Sequence, residues 1–370
     1  MRSGAVRGSS GRERIAVVGG GVVGCAIAFE LAHGDFDVTL IERDAIGAHA
    51  SGQNAGNLNP LHGTPSALLE SALGAFRIHG EIRAELSGMG CANYDLMPVR
   101  RLFLGCDAAD RTQLDATFSL FNATTGFSAQ WLDGDLLRKL EPRLARDINF
   151  GILTDGSLSV DSRDFTRSLA SAAARLGASI IHQTAVGVSF SGDRVTGIQT
   201  GAGMIACDQV VFATGPWVAD LRSWIGVDLA VEPVKGELLL LQMRGERIKH
   251  DLTLGEACLY RRGDGQVWVG STMRNCGLEC APTEEAREVL MDGAVRMMPD
   301  IRNAKLLEHV AALRPMAALG PIAARANGWQ NVYIANGGGS KGVLFSVGMA
   351  RTIRKILFDG YTTPERISVV

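Results

Sequence analysis

The 370-residue sequence has little net charge, few aromatic residues and no long apolar run, and each shortage excludes a class of function. Its 37 basic and 39 acidic residues leave a formal charge of −2, which indicates no nucleic-acid partner and no anionic membrane surface. Aromatic residues make up 6%, too few for a surface on which bases stack. Because no run approaches the roughly 18 apolar residues that a transmembrane helix requires, we predict no integral membrane segment.

The seven cysteines are scattered along the chain and show no pairing pattern. The closest two, Cys276 and Cys280, lack the second pair or nearby histidine that a metal site would require. We therefore predict free thiols, no metal site and a cytoplasmic location, where thiols stay reduced. The first 12 residues are small, basic and polar, and we predict that they form a disordered tail.

Glycine, in contrast, is abundant at 45 residues, and three glycines form a motif. Gly19, Gly21 and Gly24 follow an apolar strand at residues 14–18 and open a helix, and a second strand at residues 37–42 ends on Glu42. This order predicts a parallel βαβ unit that binds a dinucleotide, with the pyrophosphate at the helix N-terminus and Glu42 on a ribose. An acid at this position disfavours the 2′-phosphate of NADP, and a glycine-rich turn without a ligand is the alternative.

Four further segments carry a resemblance to a known family. An apolar strand at residues 209–214 ends in Ala-Thr-Gly after a run of short strands, residues 179–207, that predicts a meander. The segment at 51–60, SGQNAGNLNP, is similar to S-x-x-N-A-G-x-I-x-P, the segment at 313–316 reads L-R-P-M, and residues 336–344 form a glycine-rich loop before a helix. Over residues 14–357 the chain therefore resembles the D-amino-acid oxidase family, and within it the D-amino-acid dehydrogenases and glycine oxidases.

The resemblance implies a two-lobed α/β flavoprotein that holds FAD without a covalent bond. Its Rossmann-like FAD lobe would comprise residues 13–90, 148–226 and 312–370, and an inserted antiparallel α+β substrate lobe would comprise residues 91–147 and 227–311. The cofactor-binding residues that it implies are Gly19, Gly21, Val22, Val23, Gly24, Glu42, Arg43, Ser51, Gln53, Asn54, Ala55, Val186, Ala213, Thr214, Gly215, Gly338, Gly339, Ser340, Lys341, Gly342 and Val343. Relatives that tether the flavin use His or Cys at positions held here by other residues, and an oligomer is compatible with the sequence.

The same resemblance implies a small amine substrate that carries a carboxylate. Arg314 matches a family arginine that holds this carboxylate through two hydrogen bonds, which suits the geometry of a guanidinium group. Tyr260 matches a tyrosine that meets the same carboxylate, and His62 is predicted near the flavin. The expected reaction is oxidation of the C–N bond by hydride transfer to flavin N5, and no residue is assigned as a catalytic acid or base.

Several alternatives remain open at this point. Ala317 and Leu319 replace a threonine and an aspartate of many relatives, which leaves a flavoprotein without catalysis as one alternative. A 2-hydroxy-acid or polyol-phosphate dehydrogenase is a second, and a flavin domain that modifies the wobble uridine of tRNA is a third. The electron acceptor is a quinone or oxygen. Alignment places Trp268 where fast oxidases carry a lysine, and Lys341 is expected to face solvent, so we expect a slow reaction with oxygen.

Overall fold

Three β-sheets organise the chain, of which the computed structural model describes residues 11–359. The α-helices of this part are α1 (Val22–Ala32), α2 (Leu69–Gly88), α3 (Ala108–Ala123), α4 (Gly134–Leu140), α5 (Ser162–Arg175), α6 (Ala219–Ile225), α7 (Glu284–Met297) and α8 (Gly342–Asp359). The strands are β1 (Glu13–Val18), β2 (Phe36–Glu42), β3 (Asn57–Leu58), β4 (Leu96–Gly105), β5 (Ser128–Asp133), β6 (Phe150–Val160), β7 (Ser179–His182), β8 (Ala185–Ser191), β9 (Arg194–Thr200), β10 (Gly203–Ala206), β11 (Gln209–Phe212), β12 (Val231–Gln242), β13 (Asp251–Leu254), β14 (Ala257–Arg261), β15 (Gln266–Gly270), β16 (Lys305–Ala317), β17 (Ile322–Arg325) and β18 (Val332–Asn336).

The first sheet has six strands in the order β17-β18-β11-β1-β2-β7. All neighbours are parallel except β17 and β18. Strand β1 is apolar and buried from Ile15 to Val18 because both faces of the sheet are covered. Ile15 and Val17 pack with α1, α5 and α8, whereas Ala16 and Val18 pack with β11 and α6 on the opposite face. The predicted βαβ unit is thus present at the centre of this sheet.

The predicted meander is correct for three of its four strands. Strands β8, β9 and β10 form an antiparallel sheet of their own. The fourth, β7, instead pairs parallel to β2 in the six-stranded sheet. It follows helix α5, which packs with α1 on one face of the six-stranded sheet, and it joins that sheet at its edge beside β2.

The third sheet has nine strands, with the order β16-β12-β15-β14-β13-β4-β6-β3 and β5 paired to β6. Every pair is antiparallel except β13 and β4. Its main core is built with α4 and α7, from residues such as Leu239, Leu290 and Met297. The lobe boundaries given above remain a proposal, and β3, β6 and β16, which we assigned to the FAD lobe in whole or in part, pair within this third sheet.

The mixed α/β architecture confirms the predicted fold class. Of the predicted tail, residues 1–10 lie outside the described residues, and Arg12 pairs with Asp35 at 2.6 Å. None of the seven cysteines forms a disulfide. Across residues 11–359, no helix combines the length and apolar composition needed to cross a membrane.

Candidate functional site

A cavity of about 500 Å³ lies where the six-stranded and nine-stranded sheets meet. Its wall is contributed by the turn after β1, the segment after β2, the end of β11, the loop after β18, and strands β12, β14 and β16. These segments are far apart in the chain, from Val18 to Leu344. The cavity lies at the carboxyl ends of β1, β2, β11 and β18, where open parallel sheets place their ligands.

The glycine turn after β1 brings three backbone segments close together. A Cβ atom on Gly19, whose φ is +113°, would overlap the carbonyl of Ala213, and one on Gly24 would overlap the carbonyl of Gly19. Gly24 therefore permits close packing and does not itself line the cavity. The hydroxyl of Ser51 accepts a hydrogen bond from the Val22 amide at 2.9 Å, which fixes a remote loop to the start of α1.

Glu42 and Arg43 line the cavity at the end of β2. The buried carboxylate of Glu42 accepts hydrogen bonds from the backbone amides of Gly20 and Asp44, so its position relative to the glycine turn is fixed. The guanidinium carbon of Arg43 lies 4.0 Å from the centre of the Trp217 ring. Trp217 lines the same part of the cavity and was not identified from the sequence, because a lone tryptophan after Gly-Pro has no distinguishing spacing.

The loop at residues 51–56 is held by its own side chains. Asn54 donates to the carbonyls of Ala50 and Ser51 and accepts from the amide of Gly56, and Gln53 donates to the carbonyl of Ala48. Both residues also line the cavity.

Two buried polar atoms of the wall lack a partner within the described part of the chain: Thr214 Oγ1 and Asn57 Oδ1. Buried polar groups are seldom left unpaired, so these atoms fit a polar ligand in the cavity. Together with the glycine turn and Glu42, they suit a dinucleotide such as FAD.

The loop after β18 closes the cavity and begins α8. Asn336, which is buried, donates to the carbonyl of Gly215 at 2.9 Å and thereby joins this loop to the end of β11. The expectation that Lys341 faces solvent is wrong. Its ammonium group donates to the carbonyls of Asn59 and His62 at 2.8 and 2.9 Å, because the turn at Gly339–Lys341 directs the side chain inwards.

Most predicted site residues are brought together, and two lie outside the cavity wall. Those that line it are Gly19, Gly21, Val22, Val23, Glu42, Arg43, Ser51, Gln53, Asn54, Ala55, His62, Ala213, Thr214, Gly215, Tyr260, Arg314, Gly338, Gly339, Ser340, Lys341, Gly342 and Val343. Besides Gly24, Val186 is absent from the wall: its neighbour Ala185 lines the cavity, whereas the side chain of Val186 points outwards from β8 and the residue is 56% exposed.

Arg314 extends into the cavity from β16, which continues past it to Ala317. Its guanidinium donates to the carbonyl of Thr272 at 3.0 Å and to the hydroxyl of Ser271 at 2.8 Å. It lies against Gly236 of β12, where a Cβ atom would overlap it. Burial lowers the pKa of Arg314, but a guanidinium stays charged at neutral pH, so the site offers a fixed fork of donors to an anion.

Tyr260 lines the cavity beside a buried arginine that the sequence did not reveal. The guanidinium carbon of Arg101 lies 4.9 Å from the centre of the Tyr260 ring, and Arg101 also lines the cavity. Burial raises the pKa of Tyr260, so its hydroxyl is protonated at neutral pH and can donate to a carboxylate. Arg101 lies on β4, and its pairing with Asp251 at 3.2 Å gave no signal in the sequence.

His62 lies in the wall, with its ring 4.6 Å from that of Phe103. Burial, together with the charges of Arg101 and Lys341, lowers the pKa of His62 to about 4, so the ring is neutral near pH 7. Trp268 pairs with Tyr260 across β14 and β15 but does not belong to the described wall of the cavity. The slow reaction with oxygen stays a prediction: residue 268 carries no positive charge, as that prediction assumed, but Lys341 does not face solvent.

The chain is similar to known proteins over nearly its whole length. The family model described as FAD dependent oxidoreductase (DAO) matches residues 14–356. The glycine oxidase of Pseudomonas aeruginosa is 28% identical over 371 residues, covering 93% of this chain and 94% of that protein. The crystal structure of glycine oxidase from Geobacillus kaustophilus matches with a TM-score of 0.88 and 24% identity, covering 97% and 99% of the two chains. That of iminodiacetate oxidase from Chelativorans sp. matches with a TM-score of 0.86 and 22% identity, covering 96% and 98%.

Proposed function

Because the chain belongs to the DAO family of FAD-dependent oxidoreductases, we propose that it oxidises the C–N bond of an amino acid or secondary amine that carries a carboxylate. The observation that carries this proposal is Arg314, a charged and largely buried guanidinium that lines the same cavity as the predicted FAD-binding residues. The relatives named glycine oxidase and iminodiacetate oxidase support the substrate class.

FAD is the cofactor, and the proposed contacts follow from the cavity wall. The turn Gly19–Gly21 and the start of α1 would hold the pyrophosphate, since backbone amides at a helix N-terminus favour a phosphate. Glu42 would accept from ribose hydroxyls. Thr214, Asn57 and the backbone of the loop at residues 338–343 would meet the remaining polar groups of the cofactor.

The residues around Arg314 would bind and orient the substrate. Arg314 would take the carboxylate with two parallel hydrogen bonds, and the protonated hydroxyl of Tyr260 would donate to the same group. Leu238 and Ala312, strand residues that line the same cavity, would give the substrate an apolar surface. Holding the reacting carbon in one orientation is where most of the rate enhancement would arise.

The chemistry that bound FAD supplies is two-electron oxidation, by hydride transfer from the substrate carbon to N5. The C–N single bond becomes a C=N bond as the nitrogen loses a proton to solvent. Water then hydrolyses the imine to a carbonyl compound and a free amine or ammonia. No side chain of this site is assigned as the base, and a quinone or oxygen would reoxidise the cofactor.

Replacing Arg314 tests the proposal. Each charge-assisted hydrogen bond is worth roughly 1.5–3 kcal/mol, so Arg314→Leu should lower kcat/KM by at least about a hundredfold and keep its FAD. Arg314→Lys should recover little, since a point charge cannot reproduce two parallel bonds. The measurement is anaerobic reduction of the flavin by D- and L-amino acids, N-methylated glycines and 2-hydroxy acids.

Arg222→Leu provides a matched control, because Arg222 is an exposed arginine with its nearest acidic partner, Asp228, 3.5 Å away. Normal turnover is expected for that variant. If Arg314→Leu reduces the flavin as fast as the unchanged protein, the carboxylate is bound elsewhere. Reduction by 2-hydroxy acids but by no amine would assign the enzyme to the alternative class.

A further inference from the structure

Besides Arg314, the cavity wall holds a second group of cations. Arg101 and Lys341 both line it, together with the neutral ring of His62. A chain of contacts connects the group: Lys341 donates to the His62 carbonyl at 2.9 Å, and the Phe103 ring contacts both the His62 ring, at 4.6 Å, and the Arg101 guanidinium, at 5.8 Å. The Arg101 guanidinium also lies 4.9 Å from the centre of the Tyr260 ring, and Tyr260 lines the same cavity as Arg314.

These cations have fewer partners than their donors require. Arg101 is 2% exposed, and its guanidinium makes one hydrogen bond among the described residues, to Asp251, although it carries five N–H donors. Lys341 has two carbonyl partners and no acidic one in the part of the chain that the structure describes. Burial and the charge of Arg101 lower the pKa of Lys341 to about 8, so at neutral pH it still carries its charge for the most part.

Buried charges are normally paired, and an unpaired one is costly. Asp251 pairs with Arg101 through one guanidinium nitrogen at 3.2 Å, so Arg101 keeps N–H donors for a further acceptor. Lys341 has no such acidic partner among the described residues. The acidic residues of the wall, Glu42, Asp220 and Glu256, offer no substitute: Glu42 is held by backbone amides at the glycine turn, and the other two are exposed to solvent. An anion brought by a ligand would pair with Lys341 and accept hydrogen bonds from the remaining donors of Arg101.

We propose that the substrate carries a second carboxylate and that Arg101 and Lys341 bind it, while Arg314 holds the first. The substrate class is thus an amino or imino dicarboxylate. This inference rests on the proposed function, because it concerns the same cavity and the same oxidation. It narrows that function, since a glycine-sized monocarboxylate would leave Lys341 without an anionic partner and the spare donors of Arg101 without an acceptor.

The test compares acids with their uncharged amides, which differ little in shape. N-(carboxymethyl)glycine is paired with N-(carbamoylmethyl)glycine, and each enantiomer of aspartate with that of asparagine. In anaerobic flavin reduction, at least one acid should exceed its amide by tenfold or more in kcat/KM. Succinate should bind the FAD-loaded enzyme at least tenfold more tightly than its monoamide by titration calorimetry, a readout that needs no turnover.

Variants of Arg101 and Lys341 test whether these two side chains cause the preference for the acid over its amide. Lys341→Gln, and separately Arg101→Gln combined with Asp251→Asn, should reduce the ratio of acid to amide in kcat/KM to below threefold, because the variant loses more with the acid than with the amide. The double replacement avoids leaving Asp251 buried without its partner. Lys355→Gln, at an exposed position of α8, is the matched control and should keep the full preference.

Four outcomes are distinguishable. Equal rates and equal binding for acid and amide in the unchanged enzyme would overturn the inference and leave the proposed function intact. A preference that survives in every variant would overturn it as well. If the variants slow acid and amide alike and shift the midpoint potential of the flavin, the cations serve the cofactor, which also overturns it. If no amine of either kind reduces the flavin, the proposed function itself fails.

Discussion

The position of Arg314 depends on the absence of a side chain at Gly236. The two residues lie on the paired strands β12 and β16, and the guanidinium occupies the space that a Cβ atom at residue 236 would fill. The backbone of Gly236 shows no positive φ, so the glycine is required for space and not for conformation. A glycine in a strand is often a site where another group approaches closely.

We therefore expect Gly236→Ala to displace Arg314 and to lower kcat/KM on the best amine substrate by at least about tenfold, with FAD still bound. Misplacing a positioning group by about 1 Å can cost a hundredfold in rate. Steady-state kinetics and the flavin absorbance spectrum check this. Gly74→Ala is the control, since nothing lies within 4 Å of a Cβ at Gly74 of α2, and it should leave kinetics unchanged.

Site residues that belong to a sequence motif could be predicted from the sequence, and site residues outside any motif could not. Arg314 stands in L-R-P-M and the glycines in G-x-G-x-x-G, so pattern alone marked them. Arg101 lies in a strand without a motif. Its guanidinium is held by Asp251, which is 150 positions away in the chain, so no local pattern marks it. Lys341 was predicted as a site residue from its glycine-rich loop, but its side chain was wrongly expected to face solvent. The spacing of residues in a loop does not give the direction of a side chain.

Helices α2 and α8 are joined by a buried histidine. His79 of α2 donates from Nε2 to the carbonyls of Val343 and Leu344 at 3.1 Å. Burial lowers the pKa of His79 to about 4, and the bonds to those two carbonyls oppose the shift only in part. The imidazole is therefore neutral in the folded protein, at the point where α8 leaves the cavity.

This pKa predicts that stability falls in mild acid. The unfolded chain binds a proton at His79 below about pH 6.5, whereas the folded chain does so only near pH 4, so stability present above pH 6.5 is lost as the pH falls towards 4. Between pH 7 and pH 5 the loss should be about 2 kcal/mol. His79→Gln keeps the donor without titrating, and its urea midpoint should depend less on pH. Parallel curves for both proteins would contradict this.

Elements with strong local patterns were predicted, and those defined by distant contacts were not. The βαβ unit and the helix after the glycine-rich loop at residues 336–344 follow from periodicity and glycine stops. Strand β16 was missed over most of its length, since Pro315 lies within it, yet it pairs with β12 over Val231 to Gln242. Helix α3 lacks a strong apolar stripe and buries only Leu114 and Phe121, so its pattern was too weak to identify.

The whole molecule places its cofactor cavity between two sheets, and this arrangement makes FAD a stabilising ligand. A ligand that binds only the folded chain raises stability by RT ln(1 + [L]/Kd), about 2.7 kcal/mol at a hundredfold excess over Kd. We expect a yellow protein whose Tm falls when FAD is stripped and recovers when FAD is added back. Differential scanning fluorimetry with and without added FAD measures this.

Acid precipitation should release intact FAD into the supernatant, because Gln53, Asn54 and the segment 316–319 offer no His or Cys to tether it. Absorbance of the supernatant at flavin wavelengths is the readout. Flavin that stays with the precipitate would contradict the non-covalent assignment. Recovery of colour on adding FAD to the stripped protein serves as the control for damage by acid.

The segments that line the cofactor cavity are far apart in the chain, so the ribosome synthesises them at widely separated times. The glycine turn emerges from the ribosome first, its partner strand β11 follows when Gln209 can pair with Ile15, and the loop at residues 336–343 comes near the end. Contacts so distant in sequence close slowly. A nascent chain stalled before β18 should therefore retain no flavin, and loading with FAD would follow translation rather than accompany it.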